Sequence, residues 1–169
     1  VRTAKGIDYQ PQLLEAVEGV NLRQKQKLFQ RIKQHFGDQL AGKTIALWGL
    51  SFKPNTDDMR EASSRVLMEA LWDAGVTVQA YDPEAMEECQ RIYGNRADLA
   101  LMGTKESALN GADALVICTE WQQFRAPDFD AVIAALNNAV IFDGRNLYDP
   151  AKLAGKGIAY YAIGRGLSV

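Results

Sequence analysis

Two cationic side chains, Lys53 and Arg60, lie close together in the stretch of residues 49–61. An apolar run at residues 44–50 leads into this stretch, and a helical pattern begins near Ser63, which predicts a loop between a buried strand and a helix N-terminus. The first N–H groups of a helix lack intrahelical partners and carry the positive end of the helix dipole. With two cations nearby, such a loop is suited to binding a phosphate group.

This loop is not a dinucleotide-binding fingerprint. That motif requires a series of glycines after the strand, and Gly49 is the only glycine in residues 49–61. The Walker A phosphate loop is excluded for the same reason. A second interpretation is that Lys53 and Arg60 are solvated loop charges balanced by acidic neighbours, and these residues alone leave both interpretations open.

Strand-like apolar runs alternate with helical patterns along the rest of the chain. The predicted strands are residues 44–50, 76–81, 99–102, 114–119, 139–142 and 158–162, the last at a sheet edge, and the predicted helices are 64–74, 83–93, 105–109 and 128–136. Asp82 is predicted to be the N-cap of the 83–93 helix. The alternation predicts an α/β fold, a doubly wound, Rossmann-like parallel sheet covered by helices on both faces.

In such sheets, ligands bind beyond the carboxyl ends of the strands. Three pairs of residues fall there: Phe52-Lys53, Glu120-Trp121 and Gly144-Arg145. Two cations, Lys53 and Arg145, and the aromatic face of Phe52 would then share one rim. This combination suits an anionic ligand that carries a planar base, such as a nucleoside diphosphate.

A long helix is predicted before the sheet. Residues 11–36 show helical spacing of apolar side chains, and Gly37 is placed to provide a left-handed cap. At 1.5 Å per residue this helix is about 39 Å long, which is longer than one small domain needs. It either folds back on its own sheet or pairs with another copy. Residues 1–40 are therefore predicted to be a linker and long helix, and residues 41–169 a Rossmann-like domain.

Composition narrows the class of protein. The 169 residues are 47% hydrophobic and 24% charged, which is ordinary for a globular protein. The basic N-terminal helix lacks interleaved aromatics, and no apolar run approaches a membrane span, so neither a nucleic-acid nor a membrane partner is expected. Cys89 and Cys118 are predicted to be packed, reduced thiols of a cytoplasmic protein. Because the chain starts at Val1 rather than at a methionine, we expect it to be a fragment.

Three motifs resemble those of one family. Residues 52–61, FKPNTDDMRE, are similar to the signature of the C-terminal domain of nucleotide-sugar 6-dehydrogenases, the UDP-glucose/GDP-mannose dehydrogenase family, and most closely to members that act on UDP-glucose. Residues 119–121, TEW, and 142–146, FDGRN, follow in the order and spacing of that family. The resemblance covers residues 9–164. Ser63 departs from it, since relatives usually have proline there.

The resemblance implies roles for individual residues. Phe52 and Lys53 should line the pocket for the UDP moiety or the sugar of UDP-glucose. Arg145 should contact the polar groups of the substrate from the opposite loop. Arg60 matches the arginine that reaches across the interdomain cleft to NAD, which is bound mainly by an N-terminal domain.

Supporting roles are expected for the neighbours of these residues. Asp58 and Glu61 should cap the following helix and hold Arg60 in place, and Asp57 is a candidate for the same role. Trp121, with Glu120, is expected to pack at the end of the sheet.

The family oxidises the C6 alcohol of its sugar to a carboxylate with two NAD, through a thiohemiacetal and a thioester on a cysteine. The resemblance implies that this cysteine, its lysine and asparagine helpers and the glycine-rich NAD loop belong to the N-terminal part of the enzyme. Neither Cys89 nor Cys118 is placed where the nucleophile would be. The chain should therefore hold no catalytic residue and no metal site, and be inactive alone. The resemblance also implies that the long helix joins two domains and packs against its twin in a homodimer.

Two alternatives remain beside a domain that binds UDP-glucose and UDP-glucuronate. One is the same domain of a sister enzyme acting on GDP-mannose or a UDP-N-acetylhexosamine. The other is a non-catalytic nucleotide-binding or oligomerisation module.

Overall fold

The computed structural model describes residues 12–165. Its helices are α1 (Gln12–Phe36), α2 (Ser63–Asp73), α3 (Met86–Tyr93), α4 (Phe129–Ala135) and α5 (Pro150–Gly155). Its strands are β1 (Thr44–Trp48), β2 (Thr77–Tyr81), β3 (Leu99–Leu101), β4 (Ala114–Ile117), β5 (Val140–Asp143) and β6 (Ala159–Ala162). Short 3₁₀ turns lie at Gly37–Gln39, Ser107–Leu109 and Gln122–Phe124.

The strands form one sheet in the order β3-β2-β1-β4-β5-β6, and each neighbouring pair is parallel. The chain enters at β1, builds outward to β3, and then crosses to β4 on the other side of β1. The topological switch therefore lies between β1 and β4, where open α/β sheets place their ligand crevice. The predicted doubly wound fold is confirmed, with β6 at one edge.

Both faces of the sheet are covered. Ile45 and Leu47 of β1 pack into a core with α1, α2 and α3, whereas Ala46 and Trp48 pack into a second core with α4 and α5. Successive side chains of a strand point to opposite faces, so a strand buried on both sides becomes apolar throughout. This is why the central strands were recognisable in the sequence as short apolar runs.

The long helix α1 is buried in one half and exposed in the other. Leu28 and Ile32 lie in the core against the sheet, and Gly37, with φ of 55°, follows the last turn as predicted. Val17 and Val20 are about half exposed. The C-terminal half thus folds back on its own sheet, while the predicted helix start at Pro11 lies outside the described residues.

Several predicted boundaries were wrong for local reasons. β1 stops at Trp48: the N–H of Gly49 still donates to the Tyr81 carbonyl, but those of Leu50 and Ser51 turn towards the Asp82 carboxylate. Asp82 does accept from the N–H groups of Glu84 and Ala85, but these residues form a turn and α3 begins only at Met86. Residues 105–109 contain only a 3₁₀ turn.

Helix α5 was missed, although its signal was present. Asp149 is its N-cap and accepts from the N–H of Ala151 at 2.8 Å, and Pro150 occupies the first turn, where its missing N–H costs nothing. Within residues 12–165, no helix combines the length and apolar character that crossing a membrane would require.

Candidate functional site

The loops that follow β1 and β4 are in direct contact at the carboxyl edge of the sheet. Gly49 has φ of 94°, and a Cβ atom added there would lie 2.6 Å from Thr119 Cβ. The Thr119 hydroxyl donates a hydrogen bond to the carbonyl of Ser51 at 2.6 Å. Only glycine fits at position 49, because a side chain would force apart the two loops that flank the topological switch.

A buried carboxylate, Asp82 at the end of β2, binds both of these loops. Its Oδ2 accepts from the N–H groups of Leu50 at 2.7 Å and Ser51 at 3.0 Å, and from Trp121 Nε1 at 3.1 Å. Its Oδ1 accepts from the N–H groups of residues 84 and 85, both at 2.9 Å. Trp121 is buried at the sheet end as expected, but the central position of Asp82 was not foreseen.

The same carboxylate argues against an ordinary dinucleotide site. In dinucleotide-binding Rossmann units, the acidic residue that ends the second strand accepts from a ribose hydroxyl. Asp82 has that position here, but it is buried and its oxygens already accept from protein donors. The rim is therefore built for a different mode of recognition.

Phe52 and Lys53 lie on the surface of the β1 loop. The N–H of Phe52 donates to the carbonyl of Asp58 at 2.8 Å, which closes the loop over residues 52–58. The Phe52 side chain is 54% exposed, an unusual state for a large apolar ring. Lys53 is exposed and forms no hydrogen bond or ion pair with any side chain that the structure describes. The loop thus exposes both an aromatic ring and an ammonium group at consecutive positions.

Arg145 is held in place from two sides. The buried Asp143 carboxylate accepts from the Arg145 N–H and from the Leu147 N–H, each at 2.7 Å, which fixes the turn after β5. The guanidinium of Arg145 forms an ion pair with Glu120 in the β4 loop, and both side chains stay partly exposed. Asn146, with φ of 57°, is the left-handed residue of this turn. The Arg145–Glu120 ion pair thereby joins the loop after β5 to the loop after β4.

Arg60 is exposed and pairs with a near neighbour. Its Nε lies 3.0 Å from Asp58 Oδ1 and its Nη2 lies 2.7 Å from Asp58 Oδ2. Hydrogen bonds from the Arg60 side chain and backbone lower the pKa of Asp58 to about 2. The prediction that Asp58 holds Arg60 is confirmed.

The predicted capping of α2 by Asp58 and Glu61 was wrong. Ala62 occupies the N-cap position and has no side chain that could cap the helix, and neither Asp58 nor Glu61 accepts from a first-turn N–H in the described structure. Glu61 has φ of 57° and forms an ion pair with Lys25 of α1 at 2.8 Å, so it faces the long helix. Asp57 forms no hydrogen bond or ion pair with the described part of the chain.

Both cysteines are buried, Cys89 in α3 and Cys118 directly after β4. Burial raises the pKa of each thiol to about 12. Because the thiolate is the reactive form, neither group is suited to act as a nucleophile near neutral pH. Among residues 12–165, no set of three or more His, Cys, Asp and Glu side chains is grouped so that it could hold a metal ion.

These contacts bring some of the predicted residues together. Phe52 and Lys53 are on a loop joined to the β4 loop, and Arg145 is joined to the same β4 loop from the other side. Arg60 lies further out on the β1 loop, next to the Glu61 contact with α1. From the sequence, Asp82 was predicted only as an N-cap and Asp143 was named only within a motif. The binding of both carboxylates to the loops at this edge was missed, although each is an acidic residue at the carboxyl end of a predicted strand.

The fold and the rim define a doubly wound α/β domain whose loops at the topological switch expose an aromatic ring and cationic side chains. Residues 46–150 match the family model described as the UDP binding domain of the UDP-glucose/GDP-mannose dehydrogenase family. The chain belongs to this family.

Individual relatives agree with this assignment. A UDP-glucose 6-dehydrogenase from Pseudomonas aeruginosa is 46% identical over 168 residues, which are 98% of this chain and 37% of the relative. One from Rhizobium meliloti is 38% identical, with the same coverage. The structure of a UDP-glucose dehydrogenase from Pyrobaculum islandicum superposes with a TM-score of 0.77 at 26% identity, covering 99% of this chain and 34% of the other. The chain therefore spans little more than a third of the length of these relatives.

Proposed function

We propose that this chain is the nucleotide-sugar-binding part of a UDP-glucose 6-dehydrogenase, which oxidises UDP-glucose to UDP-glucuronate with two NAD. The observation that carries the proposal is the 46% identity, over nearly the whole chain, to a relative of that name. The rim supports it, since it offers an aromatic face and two cations at the ligand-binding edge of the sheet.

Three residues would hold the substrate. Phe52 would cover a flat face of the uracil or the sugar, which would remove its exposed ring from water. Lys53 would approach the diphosphate as a mobile point charge. Arg145, already oriented by Glu120, would offer its remaining N–H groups to phosphate or sugar oxygens.

The oxidation itself would take place against a second domain. Residues 1–40 would contain the linker and long helix that join this domain to residues 41–169. NAD would accept the hydride and be bound mainly by that second domain, with Arg60 reaching it across the cleft. The nucleophilic cysteine would also lie there, so this chain alone would be inactive. The burial of Cys89 and Cys118 supports this division.

The enzyme would be a homodimer. Val17 and Val20 lie one turn apart on α1, so they are neighbours on its surface, and both are about half exposed. Covering them with the same helix of a second copy would remove apolar surface from water. The two unpaired, buried thiols favour a reducing compartment, and we place the enzyme in the cytoplasm.

A sister specificity is the competing assignment. The structure of an NDP-N-acetyl-D-galactosaminuronic acid dehydrogenase from Methanosarcina mazei also superposes, with a TM-score of 0.67 at 26% identity over 83% of this chain. The higher identities to relatives named for UDP-glucose favour that sugar. Comparing UDP-glucose with GDP-mannose and UDP-N-acetylhexosamines as substrates separates these assignments.

The direct test is Lys53→Ala in the full-length enzyme. Losing a charge-assisted contact to phosphate should raise the KM for UDP-glucose about tenfold or more. The KM for NAD and the melting temperature should stay the same, because Lys53 is exposed and makes no ion pair with the described residues. Lys152→Ala, which removes an exposed lysine from α5, is the control. An unchanged KM for UDP-glucose would remove Lys53 from the site.

A further inference from the structure

We propose that Asp82 is a positioning residue for substrate, whose carboxylate fixes the Phe52-Lys53 loop relative to the loop that orients Arg145. The inference rests on the proposed function, because it concerns the same binding rim. It assigns a role to a buried acidic group that touches neither the ligand nor the cofactor in that proposal.

One oxygen of Asp82, Oδ2, accepts hydrogen bonds from both the β1 loop and the β4 loop. Asp82 Oδ2 accepts from the N–H and the hydroxyl of Ser51, at 3.0 and 3.1 Å, and from Trp121 Nε1 at 3.1 Å. Ser51 belongs to the β1 loop and Trp121 to the β4 loop. The two loops therefore share one acceptor atom, and neither can shift without breaking a hydrogen bond to it.

The Asp82 carboxylate is itself held in a fixed orientation. Asp82 is 1% exposed, and its other oxygen accepts from the N–H groups of Glu84 and Ala85 at 2.9 Å. These bonds stop the carboxylate from rotating and anchor it to the end of β2. Asp82 therefore fixes the positions of both loops relative to the sheet.

The residues that donate to Asp82 are next in sequence to residues of the proposed binding site. Ser51 directly precedes Phe52, and Trp121 directly follows Glu120, whose carboxylate pairs with Arg145. A displacement of either anchored residue thus reaches a proposed ligand-binding side chain within one or two residues. Ligand affinity is sensitive to such shifts, because charge-assisted contacts depend on geometry.

The chemistry also explains why the residue is an aspartate. Both oxygens of a carboxylate accept, whereas an asparagine of the same shape replaces one acceptor with an NH₂ donor. In Asp82→Asn the NH₂ group would replace either Oδ1 or Oδ2. It would then point at N–H groups that are themselves donors, so those hydrogen bonds would be lost. All the hydrogen-bond donors to Asp82 within the described residues are neutral, so the group acts through its two acceptors rather than through an ion pair.

The test uses Trp121→Phe in the full-length dehydrogenase, because this variant removes the Nε1 donor but keeps an aromatic ring in the core. We expect the KM for UDP-glucose to rise about tenfold, while the KM for NAD changes by less than about twofold. The matched control is Trp72→Phe, which removes a partly buried indole hydrogen bond to the Asp98 carbonyl at 3.0 Å, away from the rim. The control should leave both KM values unchanged.

Asp82→Asn and Asp82→Glu separate positioning from charge. The glutamate keeps the charge but misplaces the oxygens, so both variants should raise the KM for UDP-glucose if position matters. A KM restored by glutamate, or a Trp121→Phe effect no larger than that of Trp72→Phe, would overturn the inference. If the Asp82 variants do not fold, Trp121→Phe decides. A normal KM in Lys53→Ala would instead show that the proposed function has failed, and the inference would fall with it.

Discussion

Arg60 and Arg145 each pair with an acidic side chain, whereas Lys53 does not pair with any described residue. Arg60 is held by Asp58 and Arg145 by Glu120. A guanidinium held in this way loses less conformational entropy when it binds an anion, but the anion must compete with the carboxylate. Lys53 meets no such competition and loses more freedom on binding. The rim therefore combines one oriented cation, Arg145, with one adaptable cation, Lys53, while Arg60 is an oriented cation further out on the β1 loop.

The Asp58–Arg60 pair makes a prediction about pH. Because the folded-state pKa of Asp58, about 2, lies below its ordinary 3.8, the pair stabilises the fold above the ordinary value. This contribution is lost as the pH falls towards 2. A carboxyl NMR titration should place the midpoint near 2, and Arg60→Ala should move it back towards 3.8. An unmoved midpoint in Arg60→Ala would mean that the guanidinium does not set the pKa.

Among the elements, the loops after β1 and β4 approach each other so closely at Gly49 that there is no room for one added methyl group. A Cβ atom at Gly49 would lie 2.7 Å from the Thr119 backbone nitrogen, and the φ of 94° is unfavourable for any other residue. We expect Gly49→Ala to lower the free energy of unfolding by at least about 2 kcal/mol, through overpacking and backbone strain.

Chemical denaturation measures this loss directly. The control is Gly103→Ala, since an added Cβ at Gly103 meets no atom within 4 Å and its φ is not positive. Equal stabilities of the two variants would contradict the close approach of the β1 and β4 loops.

The elements themselves were largely predictable, and the contacts between loops were not. The apolar runs identified the strands because the sheet is buried on both faces, and Asp128 was foreseen near the start of α4, where its side chain caps the helix. The link from Asp82 to Trp121 spans 39 residues, and that from Thr119 to Ser51 spans 68. No local pattern encodes such distant partners. The prediction that Glu61 caps α2 was wrong for a related reason, because Glu61 forms an ion pair with Lys25, a residue of α1 that is distant in sequence.

In the whole molecule, the two halves of α1 have different environments. Its C-terminal half completes the core through Leu28 and Ile32, and its N-terminal half exposes Val17 and Val20. If that half pairs in a dimer, light scattering of this chain should give twice the 18.7 kDa of the monomer. Val17→Glu with Val20→Glu should give the monomer mass, because charge would replace apolar contact.

The control for the dimer carries the same added charge elsewhere. Gln30→Glu with Gln34→Glu places two carboxylates on the C-terminal half of α1, where both side chains are exposed, and should leave the mass unchanged. A monomer mass for the unaltered chain at high concentration would exclude pairing through the helix.

Whether this chain binds a uridine nucleotide at Lys53 is decided by a calorimetric or NMR titration with UDP, GDP and NAD in parallel, repeated on Lys53→Ala. We expect saturable binding of UDP, weaker binding of GDP and NAD, and a weaker UDP affinity in the variant. A preference for GDP or NAD, or a UDP affinity that Lys53→Ala does not change, would contradict this expectation.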